Sequence, residues 1–226
     1  GTLRVCRLSA CSMQRPTRRP GRPLDNAGPA RAVQEDGLQA AAAAPAAPIG
    51  LRNVLLVWSL AILLFGIAVV TRTHRLMHPP EVVFDEVHFG EFINQYLKGE
   101  YFFDIHPPLA KLFFAAVAKA VDLDPHSFAW EDIGAAFPHE LAGKVFYLRL
   151  TSAIFGCFIV PLAFFTLLEL DCGLLLSFTV AVFFLCDQSL CMVSRYIFTD
   201  SQLMFYLALA VFSFLRLQKA EGGART

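Results

Sequence analysis

Four long segments of the chain are almost free of charged residues, and they limit what it can fold into. They are residues 53–70, 146–168, 173–191 and 201–217, and the few charges in them lie near an end. At about 1.5 Å per helical residue, segments of 17–23 residues reach about 26–35 Å, the thickness of a bilayer's hydrocarbon core. Hydrophobic residues make up 56% of the chain. The sequence therefore predicts an all-α integral membrane protein with four spanning helices.

The basic residues indicate how these spans are oriented. Residues 1–52 contain eight Arg, and Lys219 and Arg225 follow the fourth span. By the positive-inside rule, residues 1–52 and 218–226 are cytosolic tails, and the loop 71–145 lies across the membrane. Residues 1–52 show no helical or strand periodicity and contain six Pro, so we predict that this tail is disordered.

The loop 71–145 is the most polar part of the chain, with eleven acids, six bases and all six histidines. Apolar spacing predicts short amphipathic helices over 89–98 and 107–121. The second is too short to span, so we expect it to lie in the membrane surface with Lys111 and Lys119 pointing outward. Two such helices would frame a pocket at the membrane boundary.

An acidic pair, Asp85 and Glu86, precedes the first of these helices, and Asp104 and His106 precede the second. A carboxylate in such a position is most often a helix cap. Asp85, however, has a second acid beside it and lies close to the bilayer, where ionisable groups are costly unless they are paired or used. We therefore treat it as a candidate functional residue.

Four segments of the chain resemble the protein O-mannosyltransferases, the dolichyl-phosphate-mannose-dependent family. They are EVVFDEVHFGEF, YLKGEYFFDIHPPLAKL, RLTSAIFGCFIVPLAF and SRYIFTDSQLMFY. The resemblance covers about residues 54–217 and implies a GT-C-type multispanning helical bundle in the endoplasmic reticulum membrane. It implies inverting transfer of mannose from dolichyl phosphate mannose to Ser/Thr hydroxyls of secretory proteins, with no cofactor. It also implies a homo- or heterodimer of family members in the lipid bilayer. We expect no nucleic-acid partner.

The resemblance also implies roles for particular residues. Asp85 matches the general base and Glu86 its catalytic neighbour, which would orient the site or cap the helix. Asp104, grouped with His106, would contact substrate or donor. A Ser or Thr hydroxyl is a poor nucleophile, so a carboxylate must accept its proton.

Two arginines would suit the lipid phosphate of the donor. Arg149 matches the arginine that opens the family's second span, and Arg195 belongs to the matching Ser-Arg-Tyr segment. An arginine fork fits phosphate oxygens well. The alternatives are that Arg149 is an interfacial anchor and that Arg195 is a snorkelling flank of a span.

Other interpretations stay open at this point. The chain could be a non-catalytic partner subunit of such a transferase, or a transporter module that uses the loop acids. A metal site built from Asp85, His88, Asp104 and His106 is a further possibility, although we expect no metal. We expect the 226 residues alone to be inactive, because family members have further spans and a lumenal MIR domain.

The proposed orientation can be tested with engineered glycosylation sites. An Asn-x-Thr sequon inserted near Ser127 should be glycosylated because that loop is expected in the lumen, whereas one near Gly28 should not. Gel mobility with and without glycosidase treatment measures both. The reverse pattern would overturn the topology.

Overall fold

The computed structural model describes residues 51–224, which contain seven helices and no regular strand. All but the last two residues of the tail predicted over 1–52 lie outside the described residues. The helices are α1 Leu51–Thr73, α2 Glu86–Lys98, α3 Pro108–Ala120, α4 His139–Glu169, α5 Leu174–Cys186, α6 Gln188–Val193 and α7 Asp200–Ala224.

Three of these helices are long and apolar enough to cross a bilayer, namely Arg52–Thr73, His139–Glu169 and Asp200–Gly222. They contain the predicted spans 53–70, 146–168 and 201–217, and α7 continues into the predicted cytosolic tail. The prediction of a helical multispanning membrane protein is confirmed.

The third predicted span, 173–191, is not one continuous helix. Helix α5 ends at Cys186, and Asp187 adopts an extended backbone (φ −63°, ψ 120°). The Asp187 carboxylate accepts a hydrogen bond from Leu190 N at 2.7 Å and so caps α6. The acid that stands near the end of this apolar segment thus ends one helix and starts the next.

Two contacts show that α4 and α7 run parallel. Just before α7, the Phe198 carbonyl accepts a hydrogen bond at 3.2 Å from Ser152 Oγ, which lies near the middle of α4. Near their ends, Arg216 pairs with Glu169 at 2.9 Å. The chain between them, through α5 and α6, must therefore return from one end of the bundle to the other. It does so although α5 has only 13 residues.

Helices α2 and α3 occupy the loop between α1 and α4, close to their predicted positions. Gly99 ends α2 with a left-handed backbone (φ 72°). The expectation that Lys111 points outward is wrong, because Lys111 is buried, whereas Lys119 is exposed. The apolar face of α3 that we expected to meet the membrane is indeed exposed, at Leu109, Leu112 and Phe113.

Two apolar cores hold these helices together. The first lies under α2 and α3 and packs them on the first half of α4, with members that include Phe89, Ile93, Phe114, Trp130, Leu148 and Ile197. The second lies between the spans, with members that include Leu64, Ala68, Val160, Phe164 and Ala181.

A buried ion pair ties the loop to the spans. Arg149 of α4 donates from Nε to Glu86 Oε1 at 2.8 Å and from Nη2 to Glu86 Oε2 at 2.7 Å. The same carboxylate accepts from Ile197 N at 3.0 Å and Val83 N at 2.9 Å. Both side chains are fully buried. Glu86 thereby joins the loop, α4 and the segment before α7.

Removing the charge of Glu86 should destabilise the fold strongly. Glu86→Gln keeps the shape but leaves the buried Arg149 charge unpaired, a change that typically costs about 3–5 kcal/mol. Thermal unfolding of the detergent-solubilised protein measures the effect.

The matched control is Glu169→Gln, which alters the surface pair with Arg216, where the loss should be roughly 1 kcal/mol or less. Equal shifts in melting temperature for the two variants would contradict the role given to Glu86.

Candidate active site

Asp85 is held at the start of α2 by the residues on either side of it. Its neighbour Glu86 is fixed by the ion pair with Arg149, and Glu86 N donates to Val83 O at 3.0 Å while Val83 N donates back to the Glu86 carboxylate. Phe84, which lies between Val83 and Glu86 in the chain, has a left-handed backbone (φ 45°). This backbone conformation costs a bulky residue about 1–3 kcal/mol of free energy. The reciprocal hydrogen bonds hold this strained turn in place.

The carboxylate of Asp85 is left free by this arrangement. Asp85 occupies the N-cap position of α2, yet its side chain makes no capping hydrogen bond and accepts none from other residues within 51–224. It is half-buried. The helix-cap alternative therefore does not describe Asp85, and its oxygens are available to a substrate.

Asp85 lines two cavities that share part of their walls. The first cavity has a volume of about 350 Å³, and the second about 310 Å³. Both contain Asp85, Phe89 and His106. The first adds Pro107, Leu109, Ala110, Thr199, Asp200, Gln202, Leu203 and Tyr206, and the second adds His88, Phe92, Asp104 and Ile105.

Asp104 and His106 meet Asp85 at the second cavity, as the sequence predicted for a shared pocket. Asp104 accepts hydrogen bonds from His106 Nδ1 at 3.1 Å and from the Lys111 ammonium. Lys111 also lies 5.0 Å from the centre of the Phe92 ring. With the proton on Nδ1, Asp104 orients His106 through this nitrogen and leaves Nε2 without a partner within residues 51–224.

The ionisation of Asp104 is set by these neighbours. Its burial acts to raise the pKa of the carboxyl, but the hydrogen bonds and charges of Lys111 and His106 outweigh burial and hold the pKa below its ordinary value of 3.8. Because the pKa is lower in the folded state, ionised Asp104 stabilises the fold in full above its unfolded pKa. This stabilisation is lost only as the pH falls through the folded pKa. Asp104 is thus an anion at neutral pH.

The guanidinium of Arg149 is fully engaged with other groups of the protein. All five of its N–H groups are used. Nη1 donates to the Leu76 and Pro79 carbonyls at 3.4 and 2.9 Å, and Nη2 donates to the Glu81 carbonyl at 2.8 Å. The two remaining N–H groups, one on Nε and one on Nη2, donate to Glu86 as described above. Guanidinium has no further donors. Arg149 thus has a structural role as the partner of Glu86, which the sequence did not indicate, and its predicted phosphate contact stays a prediction.

Arg195 is also engaged with the protein. It donates to the carbonyls of Thr71, Arg72 and Arg75, each at 3.1 Å. These carbonyls belong to the C-terminal end of α1 and the turn that follows, where a cation is favoured by the helix dipole. Neither predicted phosphate arginine lines either cavity.

The metal alternative has no geometric support within residues 51–224. No group of three or more His, Cys, Asp or Glu side chains there is arranged to hold a metal ion. Asp104, one of the four residues considered, is already occupied by Lys111 and His106.

The contribution of α7 to the first cavity was not predicted from the sequence. Asp200, Gln202 and Tyr206 all line it. The available signal was a polar triplet, Asp200-Ser201-Gln202, at the start of an otherwise apolar segment.

Comparison with known proteins identifies the chain's relatives. The family model "Dolichyl-phosphate-mannose-protein mannosyltransferase" matches residues 62–225. Dolichyl-phosphate-mannose–protein mannosyltransferase 1 of Saccharomyces cerevisiae is 39% identical over 75% of this chain and 20% of the relative. Protein O-mannosyl-transferase 1 of Danio rerio is 37% identical over 75% of this chain and 22% of the relative.

A solved structure, the S. cerevisiae protein O-mannosyltransferase Pmt1-Pmt2 complex bound to the sugar donor, is also similar. The match has a TM-score of 0.65 and 38% identity and covers 75% of this chain and 22% of that one. The chain thus spans about a fifth of the length of these relatives. Because the family model covers most of the sequence and includes the Asp85 motif, the chain belongs to the dolichyl-phosphate-mannose–protein mannosyltransferase family.

Proposed function

We propose that this chain supplies the catalytic aspartate for transfer of mannose from dolichyl phosphate mannose to Ser or Thr hydroxyls of secretory proteins. The observation that carries the proposal is the free carboxylate of Asp85, which lines a cavity of about 350 Å³ while its neighbour Glu86 is neutralised by Arg149. Cavities of about 300–1,000 Å³ suit small ligands.

In this reaction an acceptor hydroxyl attacks the anomeric carbon as Asp85 takes its proton. A new C–O bond forms, the bond between the anomeric carbon and the phosphate oxygen breaks, and dolichyl phosphate leaves with the electron pair. The leaving group needs no proton because the departing phosphate monoester is a weakly basic anion whose charge is delocalised over its oxygens. Attack opposite to the leaving group inverts the anomeric centre, and His106, oriented by Asp104, is the proposed further contact to substrate.

The proposed location is the endoplasmic reticulum membrane, with the Asp85 loop in the lumen. The start of α1 lies near the C-terminal end of α4, since Trp58 contacts Phe165 with ring centres 5.3 Å apart. Arg52 precedes Trp58 in α1, and Arg216 and Lys219 pair with residues at the same end of α4. Basic residues favour the cytosolic side. The related Pmt1-Pmt2 structure is a complex of two proteins, and we propose that this chain likewise functions with a second family member.

Asp85→Asn should abolish most of the transferase activity of the full-length protein. Asn keeps the shape of the side chain but cannot accept the hydroxyl proton, so transfer should fall by roughly 10²–10⁴-fold. The measurement is mannosyl transfer from dolichyl phosphate mannose to a Ser/Thr peptide in membranes with matched protein levels.

The control is Asp124→Asn, the same change at an acid of the same loop that lines neither cavity. It should retain nearly full activity. Near-normal transfer by Asp85→Asn would remove this residue from the mechanism and would favour the non-catalytic partner subunit.

Transfer should also survive chelation of divalent ions. The proposed base is a carboxylate and the leaving group is a phosphate that needs no Lewis acid, so excess EDTA should leave the rate within about twofold. The measurement is the same assay before and after EDTA. Loss of activity that Mg²⁺ or Mn²⁺ restores would return a metal to the site.

A further inference from the structure

The side-chain amide of Gln202 is buried without a hydrogen-bond partner in the wall of the first cavity. Gln202 is 0% exposed, and neither its Oε1 nor its Nε2 has a partner within residues 51–224. It lies in the first turn of α7 and lines the same cavity as Asp85. Roughly 90% or more of buried polar groups in proteins are hydrogen-bonded, so an amide with both ends unpaired calls for an explanation.

Most of the wall around Gln202 cannot supply a partner. The polar residues that line the cavity beside Gln202, namely Asp85, His106, Thr199 and Asp200, make no hydrogen bond with its amide. The other lining side chains are apolar or aromatic, which are Phe89, Pro107, Leu109, Ala110, Leu203 and Tyr206. Of these, only Tyr206 carries a polar group. A molecule inside the cavity is therefore the natural partner for the amide, which is covered in the structure and would pair by a turn of the Gln202 side chain toward that molecule.

The proposed reaction, on which this inference rests, decides which part of a substrate lies there. The acceptor hydroxyl must lie within hydrogen-bond reach of Asp85, and the reacting atoms must approach to about 3–3.5 Å. The anomeric carbon, and with it the sugar ring, must then be within a few ångströms of Asp85. A cavity of about 350 Å³ that contains Asp85 leaves Gln202 close to that ring.

The chemistry of the amide fits sugar hydroxyls. An amide offers one acceptor oxygen and two N–H donors, and each hydroxyl both donates and accepts. A neutral amide is a poorer match for a phosphate, which favours cations. Phe89 and Tyr206 add aromatic surface against which the C–H face of a pyranose can pack. We propose that Gln202 hydrogen-bonds hydroxyl groups of the transferred hexose and thereby contributes to selection of the donor sugar.

The test combines one variant with a set of donors. Gln202→Met replaces the amide with an apolar chain of similar length, and the donors are dolichyl phosphate mannose and its 2-, 3-, 4- and 6-deoxy analogues. In the wild-type full-length protein, removing a hydroxyl that pairs with Gln202 should lower kcat/KM by roughly tenfold to a hundredfold, since it leaves the amide unpaired. In Gln202→Met the same analogue should be used almost as well as mannose itself, while discrimination at the other hydroxyls is kept.

The matched control is Gln95→Met. Gln95 Oε1 is also buried and has no hydrogen-bond partner in the described part of the chain, but Gln95 lines neither cavity. This variant should keep the wild-type ratio for every analogue. Should Gln202→Met give too little folded protein, Gln202→Asn retains the amide on a chain one carbon shorter and should weaken the same ratio.

The outcomes separate the alternatives. Unchanged ratios for all analogues in the Gln202 variants would overturn the proposal and leave the amide to pair with another part of the protein. A raised KM for the peptide with unchanged sugar ratios would also overturn it, in favour of acceptor binding. Failure of the proposed function is a different result, in which the wild-type protein does not transfer mannose from dolichyl phosphate mannose at all.

Discussion

The ion pair between Glu86 and Arg149 is the interaction on which the rest of the site depends. Two opposite charges are fully buried, and every N–H of the arginine and both oxygens of the carboxylate are hydrogen-bonded. Desolvating such charges is costly, so they are tolerated only when the surrounding groups satisfy them completely. Those groups come from the turn after α1, from α4 and from Ile197 before α7, so the pair can form only when all three segments are in place.

This pair also explains why two adjacent acids can have different roles. Consecutive helical residues point about 100° apart, so Glu86 faces the protein interior while its neighbour Asp85 faces the cavities. Glu86 is neutralised by Arg149, whereas the Asp85 carboxylate has no partner within residues 51–224. The strained backbone of Phe84 sits directly before them and is held by the same network. In the proposed reaction, one acid fixes the geometry and the other accepts the proton.

The sequence predicted the helical membrane fold well because span length and charge segregation are properties of single segments. It placed Asp85, Asp104 and His106 in one pocket because two short helices frame the loop. It did not predict the partners of buried polar groups, since these depend on residues far apart in the chain. Arg149 pairs with Glu86 across 63 positions, and Lys111 turns inward to Asp104. Gln202 was missed because nothing local distinguishes an amide in a cavity wall from one that faces another helix.

The charge of the two cavities bears on where the lipid phosphate lies in the proposed reaction. Their walls, as far as residues 51–224 form them, contain the carboxylates of Asp85, Asp104 and Asp200 and no Lys or Arg. Such walls favour proton abstraction and a sugar that gains positive charge, but they repel a phosphate. Inversion requires the nucleophile and the leaving group to lie on opposite sides of the anomeric carbon. A base at Asp85 therefore directs the phosphate away from these walls. Because the phosphate lies elsewhere, these walls need no arginine, and Arg149 and Arg195 can be engaged in other parts of the fold.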